Sequence, residues 1–278
     1  MNKRTIITML LTVCLVFTLA ACGGGSKKGA VTINSPEDFP GHSIAVQTDT
    51  TAAYSIYDMI DAGMKNVEVS PYEKVTQCFD DLALGRVDAV YVDSVVAAYY
   101  TTGSDKYKIT WINSVGEPMG LAMAKSSTAL AAAVEAAIDT MFYDGSVTEI
   151  AKRHFGDDFT AGLRDVKKAP TIPRDFTTIK PGKLMVGSEV GYPPMEYTTE
   201  DGLTYIGFDI DFAARLAELL GLESEIVNTA WDGIFFGLEK GEYDIIISSV
   251  SITPERQDRY ILTKPYVSNA LCIVTKTG

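Results

Sequence analysis

Short apolar runs alternate along the chain with stretches whose apolar residues recur at helical spacing. Ser43 to Gln47 predicts a strand, followed by a helix from about Ala52 to Gly63 that Thr50 or Thr51 can cap. Asn66 to Ser70 predicts a second strand. Tyr72 to Leu84 carries Val75, Cys78, Phe79, Leu82 and Ala83 on one helical face, and Gly85 closes it. Val87 to Val92 is a buried strand with Asp93 at its carboxyl end. Thr128 to Asp144 and Ser146 to Phe155 read as helices ended by Gly145 and Gly156. Later come a strand at Lys183 to Gly187, a helix at Phe208 to Leu220, a strand at Glu223 to Val227, a helix at Trp231 to Leu238 and a last strand at Ala270 to Thr275. Strands alternating with helices in this way predict parallel α/β sheets. Asp157 to Gly182, with Pro170, Pro173 and Pro181, reads as a linker between two α/β units.

One stretch concentrates candidate chemistry. Tyr243 to Arg256 reads Y-D-I-I-I-S-S-V-S-I-T-P-E-R. Asp244 to Ile247 suits a strand buried on both faces, and Thr253-Pro254 suits a helix start. Hydroxyls at Ser248, Ser249 and Ser251 therefore gather at a strand end, with Arg256 one turn into the next helix. A guanidinium there can grip a carboxylate through two charge-assisted hydrogen bonds. The same residues also suit an ordinary strand-to-helix turn, with Arg256 paired to a surface acid.

The polar groups at other strand ends extend this picture. Gln47 to Thr51 offers N–H groups and hydroxyls, and Asp93 offers a carboxylate. A carboxylate receptor and an ammonium receptor on separate strand ends suit a zwitterion. Tyr192 and Trp231 could sandwich a side chain. Alternatively, Asp93 caps the following helix, Trp231 is core and Tyr192 packs on Pro193 and Pro194.

The net charge of -12 over 278 residues disfavours nucleic acid as a partner. There is no G-x-S-x-G, H-E-x-x-H or phosphate loop, and the two histidines, His42 and His154, offer little acid–base chemistry. No metal-ligand spacing or cofactor motif is present. Cys78 and Cys272 read as buried thiols. At the N-terminus, Lys3 and Arg4 precede an apolar stretch and then Leu19-Ala20-Ala21-Cys22, followed by Gly23-Gly24-Gly25-Ser26. This resembles a bacterial lipoprotein signal, with Cys22 as the lipidated residue and a glycine tether behind it. A plain signal peptide or a membrane span is the alternative.

These motifs resemble the solute-binding proteins of polar amino-acid ABC transporters, family 3. The resemblance is carried by G-S-E-V-G-Y-P-P-M-E-Y, G-F-D-I-D-F-A, W-D-G-I-F-F-G-L, the serine-rich stretch above and K-P-Y at Lys264 to Tyr266, which look like the family's first lobe. S-P-E-D-F-P-G, I-A-V-Q-T-D-T-T-A, G-R-V-D-A-V-Y-V-D and D-G-S-V-T-E-I-A-K-R-H-F-G look like its second lobe and closing helices. The order is reversed, as in a circular permutation. A tandem-receptor fragment is the rival account. The implied fold is α/β, two-lobed and periplasmic-binding-protein-like (type II), circularly permuted. The implied organisation is a signal peptide at 1–21, a lipidated cysteine and tether at 22–34, lobe 2 at 35–125, closing helices of lobe 1 at 126–157, a linker created by permutation at 158–182, and lobe 1 at 183–278 ending at the hinge. One covalent crossing, near Met123 to Ser126, is expected.

By resemblance, Arg256 holds the α-carboxylate of a free amino acid, helped by Thr50, Thr51, Ser249 and Ser251. Asp93 takes the α-ammonium, Tyr192 and Trp231 flank the side chain, and Glu189 faces its far end, leaning towards a cationic ligand. Asp49 stands where the family commonly has glycine, and Met195 where phenylalanine is common. The resemblance implies a monomeric, non-enzymatic receptor without metal or cofactor. It would be lipid-anchored to the outer face of the cell membrane through Cys22 and would deliver its ligand to an ABC transporter permease. A small dehydratase-like enzyme and a ligand-sensing lipoprotein are the alternatives.

Overall fold

The computed structural model describes residues 32–156 and 158–277. The expected signal peptide at 1–21, the lipidation at Cys22 and the tether up to residue 31 lie outside the described residues. Among the described residues no helix is long and apolar enough to cross a membrane.

The chain first builds β1 (Ser43–Gln47), α1 (Thr51–Asp61), β2 (Glu68–Tyr72), α2 (Val75–Leu84), β3 (Ala89–Asp93), α3 (Ser94–Thr101) and β4 (Tyr107–Ile112). It then enters β5 (Ala122–Ala124), α4 (Thr128–Asp144) and α5 (Ser146–Phe155). After an irregular stretch come β6 (Lys183–Ser188), the small hairpin β7 (Tyr197–Thr198) and β8 (Tyr205–Ile206), α6 (Phe208–Leu220), β9 (Glu223–Asn228), α7 (Ile234–Lys240), β10 (Ile245–Ile246), α8 (Pro254–Arg259), β11 (Tyr260–Leu262) and β12 (Leu271–Lys276).

Two five-stranded sheets result, in the orders β2-β1-β3-β12-β4 and β11-β5-β10-β6-β9. We call the first lobe 2 and the second lobe 1. Each sheet is buried on both faces, which explains the unbroken apolar runs. In lobe 2, Ile44, Val46, Ala89, Tyr91, Leu271 and Ile273 pack with Ala52, Ala53 and Ile56 of α1. The alternate side chains Ala45, Val90, Val92, Cys272 and Val274 face α2 and α3 on the other side. In lobe 1, Ala122 and Ile246 meet Ile234 and Leu238 of α7. Leu184, Val186 and Ile245 face Phe212 and Leu216 of α6.

Three expectations change. The sheets are mixed, because β12 runs antiparallel to β3 and β4, and β5 antiparallel to β10 and β11. The boundary of lobe 2 falls earlier than residue 125, because Ala122 to Ala124 already pair in the lobe 1 sheet. Residues 271–276 belong to lobe 2 and not to the 183–278 unit, because their alternating apolar faces fill the gap between β3 and β4. The expected single crossing near Met123 to Ser126 is therefore replaced by two, at 113–121 and 263–270. They run antiparallel and are tied by main-chain bonds from Glu117 N to Asn269 O (2.7 Å), Met119 N to Val267 O (3.0 Å) and Tyr266 N to Met119 O (3.0 Å).

Residues 158–182 have no helix or strand and follow the surface of lobe 1. Arg164 fixes them. It is nearly buried and donates to Glu135 (2.8 Å) and Asp139 (2.7 Å) of α4 and to the carbonyls of Lys264 and Pro265. Ile179 N binds Asp244 Oδ1 at 2.8 Å, which closes the segment against the start of the lobe 1 sheet.

Candidate functional site

The strand ends of both lobes meet at one cavity of about 310 Å³. Arg256, Asp93, Tyr192, Trp231, Ser249, Ser251, Thr51, Glu189 and Thr50 all line it, together with Gln47, Glu196 and Ser248.

Lobe 2 contributes the turn after β1. Asp49 adopts the left-handed conformation (φ 59°), which is where a glycine would sit without strain. Its carbonyl accepts from Trp231 Nε1 at 2.9 Å across the cleft. Thr50 caps α1, accepting from Ala53 N at 3.2 Å. Gln47 donates through Nε2 to both oxygens of Glu189, at 2.9 and 2.8 Å, again across the cleft. Asp93 ends β3. Its side chain does not cap α3; it accepts from Tyr192 OH at 2.5 Å and from Asn269 Nδ2 at 2.6 Å.

Lobe 1 contributes the turn after β6 and the serines after β10. Ser248 Oγ donates to Glu196 at 2.7 Å and accepts from Glu189 N at 3.0 Å. Ser249 is also left-handed (φ 51°), which aims its N–H at Asp209 (3.0 Å). Thr253 caps α8 by accepting from Arg256 N at 3.2 Å. The Arg256 guanidinium lies 5.4 Å from the Trp231 ring centre and 5.3 Å from that of Phe235. It donates to the Ser251 carbonyl at 2.9 Å. No carboxylate among the described residues forms an ion pair with it.

The cavity is rich in buried acids. Burial pushes Glu189 up to about 7, opposed by the Gln47 hydrogen bond. Burial, then the nearby Glu117 charge, pushes Asp93 up to about 6. Glu196 and Asp209 face each other in the interior, and burial together with the Asp209 charge holds Glu196 well above the usual carboxylate range. For Arg256, burial works against the charge, while Glu117 and Asp93 support it. Burial also raises both Cys78 and Cys272, which are free thiols inside the core. Among the described residues no cluster of three or more His, Cys, Asp or Glu could hold a metal ion.

The geometry assigns some expected residues differently. One face of Trp231 is occupied by Arg256 itself, so this ring steadies the guanidinium. Thr51 and Ser251 both donate their hydroxyls to Glu117, each at 2.6 Å. Glu117, Glu196 and Asn269 are absent from the sequence expectation. Glu196 closes the E-V-G-Y-P-P-M-E turn, which was its one visible signal. Glu117 and Asn269 lie on the crossing segments, where no periodicity marks them.

Residues 184–278 match the family model described as bacterial extracellular solute-binding proteins, family 3. The L-cystine-binding protein TcyJ of Escherichia coli (strain K12) is 36% identical over 97 residues, covering 35% of this chain and 36% of that protein. A cyclohexadienyl dehydratase of Pseudomonas aeruginosa is likewise 36% identical over 97 residues, with the same shares covered. A solved structure, the arginine-bound form of domain 1 of TmArgBP carrying a Phe57Trp mutation, is 34% identical, with 34% of this chain and 79% of that chain covered and a TM-score of 0.31. The matched part spans just over a third (36%) of the length of the first curated relatives. Over residues 184–278, the chain is thus similar to the bacterial extracellular solute-binding proteins, family 3.

Proposed function

We propose that the chain captures a free polar amino acid, with a preference for a cationic side chain, in the cleft between its lobes and delivers it to an ABC transporter permease. The observation that carries this reading is Arg256. A half-buried guanidinium without an acid partner among the described residues faces a cavity that also holds Asp93 and Glu189. A zwitterion with a positive side chain offers a carboxylate to the first and cations to the other two. The name of one relative supports it, since that protein binds L-cystine.

In this reading Arg256 holds the α-carboxylate, Asp93 the ammonium and Glu189 the far end of the side chain. Tyr192 covers the ligand, while Thr50, Thr51, Ser249 and Ser251 complete the wall. Cys22 carries the lipid anchor on the outer face of the membrane. The order of the lobes is a circular permutation of the family's order. This is consistent with β12, at the chain's end, lying between β3 and β4 of the first-built sheet. The protein works as a monomer without metal or cofactor.

The test is a thermal melt of the purified protein against a panel of free amino acids. A ligand at a hundred times its dissociation constant stabilises by about 2.7 kcal/mol, a rise of roughly 5–10 °C for a chain of this size. Lysine, arginine or ornithine should give the rise, and Arg256→Ala should abolish it. A panel without response, or an unchanged response in the variant, would overturn the reading.

A second reading, a dehydratase-like enzyme, has one observation in its favour. Glu189, pushed up to about 7, is poised for proton transfer, and a 97-residue part of the chain is 36% identical to a cyclohexadienyl dehydratase. Turnover of a prephenate-like acid, lost in Glu189→Gln, would favour it.

A further inference from the structure

We infer that Glu117 is a built-in carboxylate that competes with the ligand's own carboxylate at the Arg256 end of the cleft, and so sets the protein's affinity. This rests on the proposed amino-acid site.

Glu117 Oε1 accepts from Thr51 Oγ1 and from Ser251 Oγ, both at 2.6 Å. The two hydroxyls line the cavity together with Arg256. A hydroxyl carries one proton, and each of these is directed at Glu117. Only lone pairs remain for the cavity side. A carboxylate brings acceptors alone, so it gains nothing from Thr51 or Ser251 while Glu117 holds their protons. It also meets a like charge in a partly desolvated place, where the repulsion is poorly screened. The Glu117 charge is the leading support for Arg256, so it already does part of what a ligand carboxylate would do.

The placement gives Glu117 leverage. Thr51 belongs to lobe 2 and Ser251 to lobe 1, so one carboxylate oxygen ties the two lobes across the cleft. Glu117 itself sits on the 113–121 crossing, held by its N–H to Asn269 O at 2.7 Å. Its side chain is only half-buried and has a path to solvent. An arriving carboxylate can displace it, which frees both hydroxyl protons for the ligand.

The test is isothermal titration of the purified full chain and of Glu117→Gln with two probes, L-arginine and L-argininamide. The amide keeps the side chain and the ammonium but lacks the carboxylate. Glu117→Gln should bind L-arginine about tenfold more tightly than the unchanged protein. L-argininamide should not gain, so the ratio of the two affinities rises by that factor. Glu117→Ala is titrated in the same way. Because the ratio is taken within one protein, a general loss of stability does not alter it. A ratio that stays constant, or L-arginine binding that weakens in both variants, would overturn the inference while leaving the amino-acid site standing. If none of the proteins binds either probe, the reading of the cleft falls and this inference falls with it.

Discussion

Tyr192 donates its hydroxyl to Asp93 Oδ2 at 2.5 Å, although the two residues come from opposite lobes. Asp93 is buried, and its carboxylate also accepts a hydrogen bond from Asn269 at 2.6 Å. Tyr192→Phe keeps the ring and deletes one donor from a buried carboxylate. The expected cost is about 1–3 kcal/mol of stability, read as a lower denaturation midpoint with an unchanged slope. An unchanged midpoint would mean that the two lobes do not meet here in solution.

The raised carboxyls predict a pH dependence whose sign is fixed. Glu189 at about 7 and Asp93 at about 6 both lie above the usual carboxylate values of about 4. Between roughly pH 4.5 and 7 the folded protein therefore binds more protons than the unfolded chain, and stability falls as pH rises through that window. The melting temperature of the ligand-free protein should drop from pH 5 to pH 8. Glu189→Gln should flatten the upper part of the drop. A melting temperature that climbs over the same range would contradict the burial of these acids.

Arg256→Lys preserves charge but not shape. The planar guanidinium lies near two rings, at 5.4 and 5.3 Å, and reaches the Ser251 carbonyl at 2.9 Å. An ammonium has neither the fork nor the flat face. Amino-acid affinity should fall at least about tenfold, while the ligand-free melt moves little. Calorimetry beside a melting curve separates the two effects.

Gly187, in the middle of β6, has no room for a side chain. A methyl group there would run into the ring of Tyr243, whose hydroxyl is tied to the Ile234 carbonyl. Gly187→Ala should destabilise the protein by about 1–3 kcal/mol through overpacking. Adding Tyr243→Phe, which releases the ring from Ile234, should recover part of that loss in the same denaturation measurement.

Much of the fold could be read because its signals are local. Phe208 to Leu220 has a helical stripe and a stopping glycine at Gly221, and the structure has the same helix. Thr253-Pro254 starts α8 as the capping pattern requires. The site residues at strand ends were legible for a similar reason: an apolar run that stops in polar residues marks a sheet edge. Partnership between strands was not legible. Leu271 to Lys276 is an apolar run that fits either sheet, and only the gap between β3 and β4 decides it. Glu117 was invisible because its importance comes from two hydroxyls far away in sequence, at Thr51 and Ser251. The stacking of Arg256 on Trp231 likewise depends on a rotamer choice that no spacing encodes.

The segment 158–182 joins two pieces of chain that are not themselves the two lobes. The piece before it supplies four strands to one sheet and lends β5 to the other; the piece after it supplies four to the second sheet and lends β12 back. Each piece is thus both host and guest. A protease nick between Asp165 and Arg174 would leave two fragments interlocked by exchanged strands, joined by non-covalent pairing alone. Neither fragment holds a complete five-stranded sheet, so each should fold only in the other's presence, and the molecule would come apart into two disordered chains and not into two globular halves.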